Sequence, residues 1–155
     1  MRLKVSGSAI GKLKEFRNRI ASLEGAIEQL GMNLAEEAVD LVLQGFQKQA
    51  NPYGEGWAAK KHPDGRSILV GKTTNLRRGW GRRATKIGKL RWRIAPGPTA
   101  PYARYHQDGT KNKDGSVRMV ARKMIPDTRG MPAEWQEAFK ETATEFFRHH
   151  FKGSK

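Results

Sequence analysis

The sequence contains no cysteine among its 155 residues. Without thiols it has no disulfide framework, no thiolate zinc site and no cysteine nucleophile, so zinc fingers, thiol redox enzymes and cysteine proteases are excluded. Long apolar runs are also missing, because no stretch approaches the roughly 18 apolar residues of a membrane span. The amino terminus, Met1 to Val5, lacks the apolar segment of a signal peptide. We therefore expect a soluble protein that is made in a cytoplasm.

Acidic residues are scarce, with fifteen against thirty lysines and arginines, and the formal net charge is +15. The excess is uneven: residues 1–56 are neutral overall, residues 57–93 carry a net charge of +11 and residues 94–155 carry +4. An apolar content of 37% with 8% aromatic residues is too high for a typical disordered chain. Length and composition predict a single folded domain over residues 1–155, whose middle segment faces solvent or a polyanion.

Two segments have the apolar periodicity of helices. From Leu13 to Leu30 apolar side chains recur at intervals of three and four residues. The pattern continues past Gly31, which predicts one long helix, or two helices broken near that glycine, over residues 9–49. A final helix is predicted over residues 132–152, with glutamates early and basic side chains late. We expect the apolar seam of the first region to pack on a sheet and to leave part of itself for a neighbouring subunit.

The middle of the chain has the alternation and the turn residues of strands. Leu90, Trp92 and Ile94 alternate with Arg91 and Arg93, which predicts a half-buried strand with guanidinium groups on its outer face. The predicted fold class is α+β, in which the helical region and the C-terminal helix pack on an antiparallel sheet of about four strands. The basic loop and the sheet are predicted to span residues 57–125, and the further strand candidates are residues 67–70, 102–106 and 116–120.

No group of residues has the spacing of a catalytic or metal-binding site. His106, two residues before Asp108, is the one histidine in a suggestive context for general-base or metal chemistry. However, no two histidines have the i, i+4 spacing that lets them share one ion on a helix. Glutamates at helical spacing are typical of solvated faces. We therefore expect no catalytic residues, no metal and no cofactor, and an enzyme such as a nuclease is the least favoured class.

The basic middle segment is the candidate interaction surface. Its arginines and lysines are interleaved with Trp80 and Trp92, an arrangement in which guanidinium groups could bind phosphates and indoles stack on bases. Alternatively, both tryptophans belong to the core and the basic side chains are solvated. Alternation favours a core position for Trp92 and leaves Trp80 undecided. The residues expected to face DNA or an acidic protein partner are Arg77, Arg78, Arg82, Arg83, Lys86, Lys89, Arg91 and Arg93.

Four stretches of the chain, taken in order, match motifs of a known family. They are Asn51 to Trp57, Ile68 to Trp80, Pro101 to Gly109 and Ala121 to Pro126. The most specific combination is the P-Y-G-x-x-W turn followed by Y-A-R-Y-H-Q-x-G. After a long N-terminal helical region, these stretches resemble the tailed-bacteriophage virion morphogenesis proteins of the tail-completion type, found in Mu-like and related phages. The resemblance covers roughly residues 1–150.

The resemblance implies a long helix against an antiparallel sheet, no enzymatic activity, and assembly as a ring, expected to be a hexamer, at the head–tail junction. The partners it implies are further copies of the chain, the neighbouring head-connector and tail-tube or terminator proteins, and the double-stranded DNA of the channel, with no membrane. It implies a location in the neck or tail of the virion, after assembly in the cytoplasm of the bacterial host. The residues that it assigns to oligomer contacts or to the fold are Pro52, Tyr53, Gly54, Trp57, Tyr102, Tyr105, His106, Gln107 and Gly109.

The charge pattern also fits a function of a different class. A free-standing module that coats host or phage nucleic acid, as a monomer or dimer, needs the same lysines and arginines facing phosphates. A ring around duplex DNA needs sequence-independent phosphate contacts too, and one or two arginines per subunit are enough to make a positive collar. The strength and salt dependence of DNA binding by the isolated protein distinguish the two alternatives.

Overall fold

The computed structural model describes residues 7–71, 74–88 and 91–152 and has the α+β class predicted from the sequence. Its helices are α1 (Gly7–Lys48), α2 (Asn75–Arg78), α3 (Ala103–Asp108) and α4 (Ala133–Lys152). Its strands are β1 (Trp80–Gly81), β2 (Ala84–Gly88), β3 (Arg91–Ile94), β4 (Gly97–Pro98), β5 (Thr110–Lys111) and β6 (Val117–Met119).

The strands form three separate two-stranded antiparallel sheets, rather than the single sheet of about four strands expected from the sequence. β1 pairs with β4, β2 with β3, and β5 with β6. Within the described residues, no strand is longer than the five residues of β2. β4 contains Pro98, which has no N–H group to donate to a further strand. Each pair is therefore a small separate unit, and β2 and β3 pack on α1.

α1 is one helix of 42 residues and is not broken at Gly31. Gly31 is buried, and a Cβ atom at this position would lie 3.4 Å from the indole of Trp92 in β3. Packing of the β2–β3 hairpin on α1 thus compensates for the low helix propensity of glycine. The helix ends where Gln49 adopts a left-handed conformation (φ 52°) and the Ala50 N–H donates to the carbonyl of Gly45 at 3.1 Å.

α4 begins directly after Pro132, as predicted, and lies antiparallel to α1. At its beginning, Glu134 lies 2.6 Å from the ammonium group of Lys48, at the end of α1. Two turns further on, the Thr142 hydroxyl donates to the carboxylate of Glu37 at 3.3 Å. These two contacts fix the direction of α4, which runs back along α1 towards its amino-terminal half.

The core lies between the C-terminal half of α1, the β1–α2 region and the beginning of α4. Phe46 of α1 contacts Trp57 edge to face, with ring centroids 5.3 Å apart. The buried members of the core are Ala38, Val39, Leu41, Val42, Phe46, Trp57, Leu69, Leu76, Trp80, Ala100, Ala103, Met124 and Trp135. Trp80, for which the sequence pattern leaves both alternatives open, is therefore a core residue, and its indole N–H donates to the carbonyl of Leu76 at 2.8 Å.

Two of the strand predictions are wrong. Residues 67–70 form a turn, in which Leu69 has a left-handed backbone (φ 62°) and a buried side chain. The apolar run there fills the core without pairing, and the Ile68 N–H donates to the side chain of Gln49 instead. Residues 102–106 belong mostly to α3, because the positions that face inward are spaced as in a helix: Ala103 is buried, and His106 and Gln107 are half-buried.

The other two strand predictions are confirmed. The strand predicted over residues 116–120 is β6, and the alternating segment around Trp92 is β3. Leu90 and Lys89 lie outside the described residues. Along β3, Arg91 and Arg93 are exposed whereas Trp92 and Ile94 are half-buried, as the alternation predicts.

Candidate functional site

The β2–β3 hairpin carries the most regular part of the basic segment. Its register places Arg93 opposite Thr85 and Trp92 opposite Lys86. The Trp92 side packs on α1, so Arg91 and Arg93 extend into solvent on the other face, and Lys86 is also exposed. The hairpin thus presents guanidinium groups on a two-stranded platform anchored to the long helix.

A second group of basic residues, Arg77 and Arg78, lies at the end of α2. Both are exposed, and they line a cleft of about 480 Å³ whose apolar wall includes Val39, Leu43 and Trp80. α2 is held against the core by the buried side chain of Leu76, which precedes the two arginines. The short helix therefore positions a pair of cations at the rim of an apolar cleft.

The remaining two candidate arginines have close neighbours within the chain. The guanidinium group of Arg82 lies 2.7 Å from the carboxylate of Glu36 on α1, which partly neutralises it. Arg83 is exposed, and its guanidinium lies beside the backbone of Gly97 in β4. Within the described part of the chain, the candidate basic residues that form no ion pair are Arg77, Arg78, Arg83, Lys86, Arg91 and Arg93.

The P-Y-G-x-x-W motif forms a tight turn that is fastened to a distant loop. The Asn51 side chain accepts hydrogen bonds from the N–H groups of Tyr53 and Glu55, at 2.9 and 3.0 Å. Pro52 lies within this turn, and Gly54 at its tip donates to the carbonyl of Asn51 at 3.0 Å. The turn thus directs the Tyr53 side chain towards the loop at residues 123–130.

The hydroxyl of Tyr53 is held at the centre of a network in that loop. It lies 2.8 Å from the Asp127 carboxylate and 2.9 Å from the Gly130 carbonyl, and it accepts the Asp127 N–H at 3.0 Å. The guanidinium of Arg129 stacks on the Tyr53 ring, 3.8 Å from its centroid, and also contacts Glu55 at 3.2 Å. Trp57 adds a further link, because its indole N–H donates to the Lys123 carbonyl at 2.9 Å.

Asp127 is the acidic centre of this network. Its carboxylate accepts hydrogen bonds from the side chain of Lys123, from the N–H and guanidinium of Arg129 and from the Tyr53 hydroxyl. These donors, that of Lys123 above all, hold the pKa of Asp127 well below its ordinary value. The network is a structural clamp between two segments that lie more than seventy residues apart in the sequence.

The Y-A-R-Y-H-Q-x-G motif divides into an inner and an outer part. In the inner part, the Gln107 side chain accepts the N–H groups of Met124 and Ile125 and donates to the Ile125 carbonyl at 3.0 Å. Gly109 has a left-handed backbone (φ 72°), and a Cβ atom there would lie 2.7 Å from the Met119 carbonyl, so only glycine fits. In the outer part, Tyr102 and Tyr105 are exposed.

His106 lies between these two parts, half-buried in a cleft of about 280 Å³ that also contains Lys60, Asp64 and Arg122. Burial lowers the pKa of its imidazole, and the charge of Arg122 lowers it further. The Nδ1 atom of His106 is buried and has no hydrogen-bond partner among the described residues. The imidazole contacts the Tyr102 ring edge to face, at 6.2 Å between centroids.

The residues that tie the motifs together are not predicted by the sequence patterns. Asp127 and Arg129 follow the last motif, and Glu36 has the helical spacing of a solvated glutamate. The i, i+4 spacing of Lys123 and Asp127 is a signal for an ion pair, but no sequence pattern indicates a contact between Tyr53 and Asp127.

No group of three His, Cys, Asp or Glu side chains among the described residues is arranged to hold a metal ion. In the same part of the chain, no helix combines the length and the apolar character needed to cross a bilayer.

Comparison with known proteins adds one finding. The sequence model of the phage virion morphogenesis family matches residues 9–145. The match begins in α1, ends in α4, and includes the basic segment and both motifs described above. Neither the curated proteins nor the solved structures contain a significant match to the chain.

Proposed function

The chain belongs to the phage virion morphogenesis family, and we propose that it is a structural tail-completion protein that forms a ring at the head–tail junction. In this proposal the ring, a hexamer, joins the head-connector proteins on one side to the tail-tube or terminator proteins on the other. Its basic surface faces the DNA of the channel or an acidic surface of a neighbouring ring.

The observation that carries this proposal is the uncompensated charge on the β2–β3 hairpin. Arg91 and Arg93 are exposed on the face opposite α1 and form no ion pair within the described residues. Their guanidinium groups suit phosphate or carboxylate oxygens and provide no array for reading base edges. A protein that must hold passing DNA without selecting its sequence requires contacts of this kind.

Repetition in a ring makes weak contacts sufficient. One exposed guanidinium attracts a phosphate only modestly in water, because solvent and salt screen the charges. Several copies arranged around one duplex act together at a high effective concentration. A collar protein can therefore bind DNA weakly as a single chain and still retain it after assembly, whereas a free-standing nucleic-acid-binding module cannot.

Electron microscopy of antibody-labelled virions tests this function. We expect label at the neck of intact particles, between head and tail. Particles produced without the protein serve as the control, and we expect heads and tails that fail to join. Absence of label from purified virions would contradict a structural role, and label confined to the capsid shell or to the distal tail would contradict the junction.

A further inference from the structure

The amino-terminal part of α1 extends past the other elements of the described structure. Thr142 contacts Glu37, and by helical rise the ten residues of α4 that follow it reach no further than about residue 27 of α1, which leaves roughly 30 Å of α1 beyond them. Among the side chains that the structure describes in α1, the first buried one is Ala26, and all those between Ile10 and Ala21 are exposed. We call residues 7–21 the projecting segment.

The projecting segment has an apolar seam that no other described part of the chain covers. Ile10, Leu13 and Phe16 are exposed over 46, 62 and 64% of their surfaces. They lie on one side of the helix, because residues three apart differ by about 60° around its axis. Three large apolar side chains on one face of an exposed helix are typical of a contact surface rather than of a solvated helix.

Basic side chains border this seam on both sides. Helical geometry places Lys14 and Arg17 along one edge and Lys12 along the other. Glu15 is the one acidic residue in the sequence of the projecting segment, and its position is on the opposite face of the helix. A partner for this face therefore needs an elongated acidic surface that also offers apolar contact.

The outer face of α4 offers an elongated row of acidic side chains. Glu134, Glu137, Glu141 and Glu145 recur every three or four residues and are all exposed. Glu134 is paired with Lys48 and Glu137 with Lys140, whereas Glu141 and Glu145 form no ion pair among the described residues. These four glutamates are the acidic stripe. Lys140 and Arg148 line the same surface, with Arg148 at the far end of the stripe, and the partly exposed Phe147 lies on another side of the helix.

We propose that the projecting segment of one copy lies along the acidic stripe of the next copy. This inference rests on the proposed ring, since it identifies the surfaces that hold neighbouring subunits together. The two surfaces differ and lie on different elements, so the contact is head-to-tail, which is the kind that generates rings. Their dimensions are compatible: the stripe spans about 17 Å of helix, and the seam with its basic borders, residues 10–17, spans about 11 Å.

Site-directed crosslinking tests the contact directly, and the absence of native cysteine makes the result unambiguous. Phe16→Cys and Thr144→Cys place one thiol on the projecting segment and one beside the acidic stripe. With a short bismaleimide, we expect a crosslinked dimer when the two variants are mixed and little product from either alone. Val117→Cys, exposed on the β5–β6 hairpin, is the matched control that we expect not to crosslink to Phe16→Cys.

Charge reversal then tests the cause of the contact. One variant combines Lys12→Glu, Lys14→Glu and Arg17→Glu, and the other combines Glu137→Lys, Glu141→Lys and Glu145→Lys, each in the crosslinking background. When the same set of reversals is present in both the Phe16→Cys and the Thr144→Cys protein, we expect the crosslinked fraction to fall at least tenfold. This holds for either set. Mixing the two sets, or combining them in one chain, restores an acidic surface opposite a basic one and should recover the crosslink.

The outcomes separate this inference from the function on which it rests. If the parent chain forms rings and both charge-reversed variants assemble as well as the parent, the proposed contact is wrong. The proposed ring is then retained. If crosslinks form between two Phe16→Cys chains, the projecting segments pair with each other and the head-to-tail contact is overturned. The head-to-tail contact is also overturned if reversal of the basic residues abolishes binding to DNA or vesicles and leaves assembly unchanged. A parent chain that never assembles contradicts the ring itself.

Discussion

Tyr53 shows how much of the fold can depend on one hydroxyl group. It accepts the N–H of Asp127 and lies within hydrogen-bond distance of the Asp127 carboxylate and the Gly130 carbonyl. The Tyr53 ring supports the guanidinium of Arg129 on its face. The same residue therefore fixes both the backbone and the charged side chains of the 123–130 loop.

Replacing Tyr53 by phenylalanine keeps the ring and removes the hydroxyl. The Asp127 N–H then loses its acceptor in a partly buried position, which costs about 1–3 kcal/mol of unfolding free energy. Chemical denaturation measures this loss. Tyr105→Phe is the control, because its exposed hydroxyl has no hydrogen bond among the described residues, and we expect a change within about 0.5 kcal/mol. Equal stability of the two variants would contradict the clamp.

The lowered pKa of Asp127 predicts that the protein loses stability in acid. Its pKa lies below the ordinary 3.8 in the folded protein, because Lys123 and its other donors stabilise the carboxylate. The unfolded chain therefore takes up a proton first, and the stabilisation is complete above about pH 5 and declines as the pH falls through 4 and below. We expect Asp127→Asn to be less stable than the parent at pH 7, by a difference that shrinks steadily as the pH falls from 4 to 2. Denaturation curves measured across this pH range give the free energy of unfolding of both proteins. A difference between parent and variant that does not change with pH would contradict the role of Asp127.

At the scale of elements, α1 organises the protein because other elements pack along its length. The β2–β3 hairpin rests at Gly31, and α4 contacts α1 at Glu37 and at Lys48. The absence of a side chain at Gly31 lets the Trp92 indole approach the helix backbone. The hairpin and its arginines are therefore positioned by a glycine that lies about sixty residues earlier in the chain.

A pair of glycine substitutions in α1 isolates this packing. Gly25→Leu and Gly31→Leu raise helix propensity equally, by up to about 1 kcal/mol. A Cβ atom at position 25 meets nothing within 4 Å, whereas a larger side chain at position 31 displaces Trp92. We expect Gly25→Leu to be neutral or stabilising and Gly31→Leu to be destabilising by about 1–3 kcal/mol. Hydrogen exchange of the hairpin amides should rise in the second variant, and equal behaviour of the two would refute the packing.

The long elements were predictable from the sequence because their signal is repeated. α1 and α4 each contain several turns of apolar spacing, and their observed ends lie within two residues of the prediction. The short elements lack that redundancy. Residues 67–70 have three apolar side chains in a row, which fits a strand as well as the buried turn that forms. The Tyr53 network was not predictable, since local patterns carry no information on a partner 74 residues away.

At the scale of the whole molecule, the charge distribution sets how the protein meets nucleic acid. We expect the isolated chain to bind duplex DNA weakly and without sequence preference, and to lose most of this binding by about 0.2 M salt. A filter-binding or anisotropy titration over a salt series measures both affinity and slope. Nanomolar, sequence-specific binding at that salt would contradict the collar and favour a free-standing nucleic-acid-binding module.

The salt series also identifies the residues responsible. Arg91→Gln with Arg93→Gln should reduce the slope of log affinity against log salt by about 0.9 for each phosphate that the protein no longer neutralises. Lys111→Gln with Lys113→Gln removes the same formal charge from the β5–β6 hairpin, where both lysines are exposed. We expect this control to change the slope little. Equal slopes in both variants would mean that net charge, rather than the β2–β3 platform, drives binding.

Because α1 is one unbroken helix, the number of residues in it determines the direction of the projecting segment relative to the rest of the described structure. Each residue turns the helix by about 100°, so one alanine inserted after Leu23 swings the projecting segment by that angle relative to Trp92. Seven inserted residues return it to within about 20° and lengthen it by about 10 Å. If the proposed contact forms, the one-residue insertion should abolish the crosslink between Phe16→Cys and Thr144→Cys. The seven-residue insertion should recover much of this crosslink. The number of residues in α1 therefore sets the dihedral angle between adjacent subunits. This angle in turn sets how many subunits form a closed ring.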